Sequence, residues 1–170
     1  KTGSFQPNAY ITVTPDNRVL VGVGKTEMGQ GVFTSHAMLV AEELEVDLDQ
    51  VEPHHDNGPP FQTAGNQITG GSTSLAQSFV PMRRAAASAR EMFIAAAAAT
   101  WSCARSECRA ENGFIVHTSG KKLRLGELTR DAATQDIPDD PPIKDPKDFK
   151  IVGTDSRRVD LLEKITGSAV

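Results

Sequence analysis

The feature that most constrains the fold of this chain is a change of hydrophobic period at "GQG", residues 29–31. The stretch before it, "NAYITVTPDNRVLVGVG", alternates apolar and polar residues on both sides of "PDN", which predicts a β-hairpin. The stretch after it repeats its apolar residues at helical spacing, which predicts an amphipathic helix over 32–46. Two glycines therefore stand at a strand-to-helix turn, where the backbone must change direction within a few residues.

A second, longer helix is predicted from Ser72 to about Trp101, because its apolar residues keep one helical face. Pro81 lies inside this pattern, so we expect a kink or a fresh helix start there. A short extended segment, "QVEPHH", and a Gly- and Pro-rich loop, "DNGPPFQTAGNQITGG", separate the two helices. Further along, "CRAENGFIVH" indicates two short strands around an Asn-Gly turn, and "KKLRLGELTRDAAT" a strand and a brief helix.

The predicted order, ββαβαββα, indicates an α+β fold with a mixed sheet covered by two main helices. A length of 170 residues allows one domain with a sizeable core or two very small ones. Prolines recur from Gln135 onward, which predicts an extended strap, so we divide the chain into 1–134 and a linker or strap over 135–170. Because the chain begins with Lys1, we expect a processed or excised piece of a longer protein.

Charge and cysteine content argue against several classes of partner and site. The 18 basic and 22 acidic residues form no basic block, which disfavours nucleic acid and anionic membranes as partners. No apolar run approaches the roughly 20 residues that a membrane span requires. Cys103 and Cys108 match no CxxC motif, and no second cysteine pair completes a zinc or iron–sulfur site. We expect ordinary thiols near a helix end or a local disulfide, with any iron–sulfur centre in another chain.

The segment "GVGKTEMGQG", residues 22–31, suggests a nucleotide-binding loop but fails the spacing test. A Walker loop that ends in Gly24-Lys25-Thr26 needs a glycine at position 19, where this chain has Val19. The dinucleotide fingerprint fails as well, because Glu27 and Thr34 occupy the positions of its third glycine. The glycines therefore serve another purpose.

Two interpretations remain for Gly29-Gln30-Gly31. Gln30 can present an uncharged donor and acceptor amide beside the positive end of a helix, which suits a ligand oxygen that must be hydrogen-bonded. Alternatively, the segment is a strand-to-helix turn whose glutamine caps backbone groups.

The segment "TGGSTS", 69–74, offers a similar choice at the start of the long helix. Backbone amides, hydroxyl groups and the helix dipole can form an anion site there, at Gly70, Gly71, Ser72, Thr73 and Ser74. The alternative is N-capping by Ser72 or Thr69. Because two glycine-rich turns each open a helix, one extended ligand could contact both.

Other polar residues are interpreted as structural. Adjacent strand residues point to opposite faces, so His54 and His55 with Asp56 are expected to be loop or edge polarity and not a metal site. His36 is expected to be packed or exposed and not catalytic. We expect a solvated helix face formed by Arg83, Arg84, Arg90 and Glu91.

Two stretches carry a family resemblance, "KTEMGQGVFTSHAMLVAEELEVDLDQV" and "ITGGSTSLAQSFVPMRRAAASAREM". They resemble the molybdopterin-binding large subunit of the xanthine dehydrogenase and aldehyde oxidase family, especially the isoquinoline 1-oxidoreductase β-subunit type, often labelled membrane-bound aldehyde dehydrogenase. "EMGQG" is specific for that family, and "TGGSTS" follows at a fitting distance. The tail "IKDPKDFKIVGTDSRRVDLLEKITGSAV" resembles the linker between two sections of that subunit.

The resemblance implies part of a molybdenum hydroxylase that oxidises aldehydes or hydroxylates N-heterocycles with a molybdopterin cofactor, commonly the cytosine dinucleotide form in bacteria. By match of motif, Gln30 is implied to hydrogen-bond a molybdenum oxo ligand, Gly29 and Gly31 to shape the approach, and residues 70–74 to hold the pyrophosphate. The implied partners are the rest of the large subunit, a small [2Fe–2S] subunit and a cytochrome c electron acceptor. A periplasmic or membrane-associated parent is expected. We expect the isolated chain to be inactive and to hold no molybdenum or iron.

Two departures from the family pattern stand out. The family carries an arginine shortly after the Gly-Gly-Ser segment, where this chain has Leu75 and Ala76, so no cation for the phosphates is identified. The family's catalytic base is a glutamate near the far end of the full subunit, and Glu27 does not match it. The alternative to an enzyme fragment is a stand-alone ligand-binding or interaction module that shares the scaffold without catalysis.

Overall fold

The computed structural model describes residues 3–56 and 68–169, and the predicted loop after "QVEPHH" lies largely outside this part of the chain. The first sheet contains three strands: β1 (Ile11–Val13), β2 (Val19–Val23) and β3 (Val51–His55). β1 and β2 form the predicted hairpin and pair antiparallel, whereas β3 pairs parallel to β2. The alternating valines and isoleucine of the hairpin are buried, because they form the face that packs on the helices.

The two predicted helices pack against each other over the first sheet. They are α1 (Val32–Leu44) and α2 (Ser74–Trp101). α2 continues through Pro81 as one helix, so the alternative of a fresh helix start is wrong. Alanines 86, 89, 96 and 97 of α2 are fully buried, and these small side chains let the neighbouring elements approach closely.

A second sheet follows α2 and is antiparallel throughout. Its strands are β4 (Cys108–Glu111), β5 (Phe114–His117) and β6 (Lys122–Arg124). The predicted Asn-Gly turn joins β4 to β5, with positive φ at both Asn112 (50°) and Gly113 (78°), as a tight hairpin turn requires. The α+β class is confirmed, but the strands form two sheets and not one. The local hairpin turns let β4, β5 and β6 hydrogen-bond to one another, and loop contacts such as Gly126 N–H to Asn17 Oδ1 (2.9 Å) connect the sheets.

The segment after residue 134 contains a 3₁₀ turn (Pro146–Asp148), one short α-helix and proline-rich extended chain. α3 (Thr129–Ala132) precedes it, and α4 (Leu161–Thr166) lies near its end. Buried carboxylates of α1 hold this strap. Glu42 accepts hydrogen bonds from the backbone amides of Lys150, Ile151 and Val152 at 3.0, 2.7 and 2.9 Å, and from Lys144 Nζ at 2.6 Å.

The predicted solvated face of α2 is wrong for two of its arginines. Arg83 and Arg90 donate to the fully buried Glu43, at 2.8 and 3.1 Å, and both also donate to backbone carbonyls of the strap. Arg84 is exposed as expected. The error arose because helical spacing shows which residues share a face, whereas the strap that covers this face comes from a distant part of the sequence. Among the described residues, no helix has the length and apolar character to cross a membrane.

Candidate cofactor-binding site

The "GQG" turn has the left-handed backbone that its glycines predict. Gly29 has φ 101° and Gly31 has φ 81°, conformations that residues with a Cβ rarely adopt. Apart from each glycine and the two residues next to it, no heavy atom of the described chain lies within 4 Å of the position that a Cβ would take at either glycine. The glycines therefore serve the turn, and they also leave the backbone beside them open to a ligand.

Glu27 organises this turn, a role that the sequence did not reveal. Its carboxylate accepts hydrogen bonds from the backbone amides of Gly29 (2.8 Å), Gly31 (3.0 Å) and Phe33 (3.1 Å), and from Arg158 of the strap at 3.1 Å. Burial alone would raise the pKa of Glu27, but these hydrogen bonds outweigh it and hold the pKa below its usual range. An acidic residue just before a predicted helix start was the available signal.

Gln30 folds back onto its own loop. Its Nε2 donates to Thr26 O at 2.8 Å, and its Oε1 accepts from the Met28 amide at 2.6 Å. These are the contacts of the turn interpretation, in which the glutamine caps backbone groups. A primary amide has two N–H donors, so Nε2 keeps a second one. The side chain is exposed in this chain and is held in one orientation by two hydrogen bonds.

The second glycine segment leaves the start of α2 without a side-chain cap. Gly71 (φ 61°) and Ser72 (φ 55°) are both left-handed, and Thr73 is the N-cap residue but makes no side-chain cap hydrogen bond. The hydroxyl of Thr73 instead donates to Gly70 O at 3.2 Å. The alternative of N-capping by Ser72 or Thr69 is therefore not what the structure shows. The first amides of a 28-residue helix point outward at this end.

The structure brings the two glycine segments together. The Thr26 amide donates to Thr69 Oγ1 at 2.8 Å, and Lys25 Nζ donates to Ile68 O at 3.1 Å. The hydroxyl predicted as a helix cap thus connects the first loop to the second. A ligand that contacts one segment has the other within reach.

Lys25 is the least expected residue of this region, because its side chain is only 6% exposed. In the described part of the chain no carboxylate forms an ion pair with it, and its ammonium group donates to a neutral carbonyl. A buried ammonium without a counter-ion is costly, which makes Lys25 a candidate partner for a ligand anion. A lone lysine at the end of an apolar strand was the only signal in the sequence.

A cavity of about 280 Å³ lies beside Lys25, between the end of β2, α1 and the first turns of α2. His36 lines it and is buried, as one of the predicted alternatives stated. Its Nδ1 lies 2.7 Å from Val32 O, which can only accept, so Nδ1 carries the proton and Nε2 faces Ser78 Oγ at 2.8 Å. Burial, together with the nearby Lys25 charge, lowers the pKa of His36, so the ring is neutral at neutral pH.

His54 and His55 lie at a sheet edge, as expected. They end β3, an edge strand of the first sheet, and both are exposed.

Comparison with characterised proteins identifies the family of this chain. The chain is 36% identical over 159 residues to one of the subunits of nicotinate dehydrogenase from Pseudomonas putida, a match that covers 93% of this chain and 13% of that protein. It is 27% identical over 206 residues to the beta subunit of isoquinoline 1-oxidoreductase from Brevundimonas diminuta, covering 98% of this chain and 26% of that protein. The chain thus spans at most about a quarter of these relatives.

Solved structures share the fold. Quinoline 2-oxidoreductase from Pseudomonas putida 86 matches with a TM-score of 0.56 at 20% identity, over 70% of this chain and 15% of that one. The Cu,Mo-CO dehydrogenase matches with a TM-score of 0.57 at 22% identity, over 69% and 15%. At this level of identity the likeness concerns the fold alone.

The sequence model of the molybdopterin cofactor-binding domain matches residues 1–158, which include both glycine segments and most of the strap. The chain therefore belongs to the molybdopterin cofactor-binding domain family, within the molybdopterin-binding subunits of the xanthine dehydrogenase family.

Proposed function

We propose that this chain forms part of the cofactor cradle of a molybdenum hydroxylase large subunit, and that the cofactor is the molybdopterin cytosine dinucleotide. When bound, such a cofactor supplies the metal-centred redox chemistry that oxidises aldehydes or hydroxylates N-heterocycles. The task of this chain is to bind and orient that group through Gly29, Gln30, Gly31 and the segment 70–74.

The observation that carries the proposal is the open start of α2. Its first amides have no side-chain cap, and Gly70 and Gly71 leave room for a ligand to approach them. Aligned amides at a helix start attract anions, because partial positive charge collects there. A pyrophosphate at Ser72, Thr73 and Ser74 would supply acceptors where the N-cap side chain of the described helix supplies none.

Lys25 can supply the positive charge of the arginine that the family carries shortly after the Gly-Gly-Ser segment. Leu75 and Ala76 provide no cation, but the buried ammonium of Lys25 donates to Ile68 O, two residues before Gly70. We assign to Lys25 the role of balancing the cofactor's negative charge, which also removes the cost of an unpaired buried cation.

Gln30 fits the remaining role, that of a neutral donor to a molybdenum oxo ligand. Its two hydrogen bonds to the loop fix the amide, and the second N–H of Nε2 is available for a ligand oxygen. A preorganised donor of this kind stabilises charge that grows on an oxygen during reaction.

The rest of the same large subunit is the first partner that this function requires. Leu162 and Ile165 of α4 are 69% and 70% exposed, and Met28 beside the "GQG" turn is 69% exposed. Apolar side chains at these positions suit contact with further protein. A small [2Fe–2S] subunit and a cytochrome c would carry electrons away, and a periplasmic or membrane-associated location would suit that acceptor.

Metal and nucleotide analysis of the full-length protein tests the proposal. We expect about one molybdenum per large subunit and release of a cytidine nucleotide after acid hydrolysis. A full-length product without molybdenum or nucleotide would favour the alternative, a ligand-binding or interaction module that keeps the scaffold without the chemistry. A native gene product close to 170 residues would favour that alternative too.

A further inference from the structure

A second group of ligand-type side chains lies at the opposite end of α2 from the "TGGSTS" segment. Cys103, Glu107 and His117 each place one ligand atom within 4.8 Å of the others. Cys108 Sγ lies 3.6 Å from Cys103 Sγ. Cys108 also stands directly opposite His117 in the β4–β5 ladder, so their side chains leave the same face of the second sheet. The fold thus gathers a thiol, an imidazole and a carboxylate from a stretch of 15 residues, with the Cys108 thiol beside that of Cys103.

The distance between the two sulfur atoms suits a shared metal ion. Two thiolates on one tetrahedral zinc, each with a Zn–S bond of about 2.3 Å, lie roughly 3.7 Å apart. The 3.6 Å between Cys103 Sγ and Cys108 Sγ is close to that value. Cysteine, histidine and glutamate together are a ligand set typical of zinc, which accepts sulfur, nitrogen and oxygen donors.

One ring nitrogen of His117 is available to bind a metal ion. Its Nε2 is buried and has no hydrogen-bond partner among the residues that the structure describes. Its Nδ1 lies 2.7 Å from Ser119 Oγ. A metal on Nε2 requires the proton on Nδ1, and Ser119 Oγ is placed to accept it, as the outer partner of a metal-bound histidine commonly does. The Ser119 amide, which now donates to Nδ1, lies in an exposed turn where water can replace that acceptor.

Glu107 brings a carboxylate to the cluster. The neighbouring Arg105 and Arg109 pair with Glu91 and Glu111, and no ion pair to Glu107 occurs within 3–56 and 68–169. A divalent cation would bind both thiols as thiolates, and their protons would be released to solvent.

We propose that Cys103, Cys108, Glu107 and His117 form a structural zinc site that fastens the end of α2 to the second sheet. Trp101, whose ring meets that of His117 edge to face at 5.7 Å, covers one side of the site. The site lies at the opposite end of α2 from the segment proposed to hold the molybdenum cofactor. Its assignment does not rest on the proposed function.

Metal titration of the reduced, chelator-stripped full-length protein tests the proposal, with Co²⁺ and Zn²⁺ as the probes. We expect one equivalent of Co²⁺ to produce thiolate-to-cobalt charge-transfer absorption and Zn²⁺ to displace it. Cys103→Ser and His117→Gln should each remove that absorption. Glu107→Gln keeps an oxygen acceptor for the Ala104 amide but loses the charge, so Zn²⁺ affinity should fall by at least the roughly 10- to 100-fold that outer-partner losses cause.

Glu111→Gln is the matched control, because Glu111 lies only four residues from Glu107, at the end of β4, but pairs with Arg109 at the surface. It should leave the absorption and the affinity unchanged. Equal Co²⁺ spectra for wild type and Cys103→Ser would overturn the proposal. So would a Cys103–Cys108 disulfide found by mass spectrometry of protein alkylated without reduction, because the pair would then be a covalent link and not a metal ligand. An unchanged far-ultraviolet circular dichroism spectrum shows that the variants fold.

Discussion

At the scale of single residues, the turn that opens α1 depends on Glu27 as much as on its two glycines. One carboxylate satisfies the amides of Gly29, Gly31 and Phe33, which have no partner inside the helix. It also receives Arg158 from the strap. Because Gln30 lies between two of these amides, the orientation of its side chain depends on Glu27.

We therefore predict that Glu27→Gln loosens this turn. A neutral amide accepts more weakly, and its NH₂ group would replace one of the two oxygens that accept these backbone amides, so the free energy of opening should fall by about 1–2 kcal/mol. Hydrogen exchange of the amides of residues 29, 31 and 33 measures it in the full-length protein. Glu52→Gln, which removes an exposed carboxylate paired with Arg18, should have no effect on these amides.

Gln30 makes the sharpest catalytic prediction at this scale. Loss of a preorganised donor aimed at transition-state charge costs ~3 kcal/mol, or about 10²- to 10³-fold in rate. Gln30→Ala in the full-length enzyme should lower kcat by that factor while molybdenum content persists. Gln30→Glu should do comparable damage, because a carboxylate only accepts and would face an electron-rich oxo ligand. Near wild-type turnover by both variants would reduce Gln30 to a turn residue.

At the scale of elements, the hydrophobic pattern predicted those helices, strands and turns that depend on residues close together in the sequence. The hairpin, both long helices and the Asn112-Gly113 turn follow from period, helix signals and turn chemistry within a few residues. The sequence did not predict that β4, β5 and β6 form a separate sheet. The pattern of a strand does not identify the strand beside it. The burial of Arg83 and Arg90 was missed for the same reason, since their partners Glu43 and the strap are 40 or more residues away.

The attachment of the strap to α1 should depend on pH. Burial would raise the pKa of Glu42, but hydrogen bonds from Lys144, Val152 and Ile151 outweigh it and lower the pKa below its ordinary value of 4.5. Since the folded-state pKa is depressed, Glu42 stabilises the strap fully above about pH 4.5. This contribution is lost as pH falls through the lower folded-state pKa. Protection factors of the amides at 150–152 should drop in that window.

Glu42→Gln should remove most of this protection already at pH 7. Hydrogen bonds to a charged group contribute about 1.5–3 kcal/mol, so protection of these amides should fall roughly 10-fold or more. Asp140→Asn provides the control, because the Arg84–Asp140 pair of the strap is exposed and should contribute little. If both variants kept full protection, Glu42 would not be the anchor of the strap.

At the scale of the whole molecule, the strap, 135–170, is attached to the part of the chain, 1–134, from which the sequence analysis separated it. Glu42 and Glu43 hold its first half, and Arg158 reaches back to Gly29 O at 2.7 Å and to Glu27 at 3.1 Å. Asp160 accepts from Arg158 at 2.9 Å and pairs with a lysine of α4, and hydrogen bonding to Arg158 holds the pKa of Asp160 far below its usual range. The strap thus supports the turn that carries Gln30, so we propose that it belongs to the cofactor-binding unit.

The sequence predicted the two motifs of the candidate site but not the contacts that connect them. "EMGQG" and "TGGSTS" identified both glycine segments, because their residues lie together in the sequence. The Thr26–Thr69 hydrogen bond and the burial of Lys25 could not be predicted, since they arise only when β2 and the start of α2 meet in three dimensions. The spacing of residues within one segment is a local property of the sequence. Which groups surround Lys25 depends on how the chain folds.

Cofactor retention by two variants of Thr73 tests the central claim most directly. Asp and Asn are both good N-cap residues, so each should keep or improve the stability of α2. Thr73→Asp places a negative charge where the pyrophosphate is proposed to bind, and it should sharply lower molybdenum and cytidine nucleotide content in the purified full-length protein. Thr73→Asn has the same shape without the charge and should retain the cofactor. Full cofactor content in Thr73→Asp, with a stable fold, would contradict an anion cradle at the start of α2.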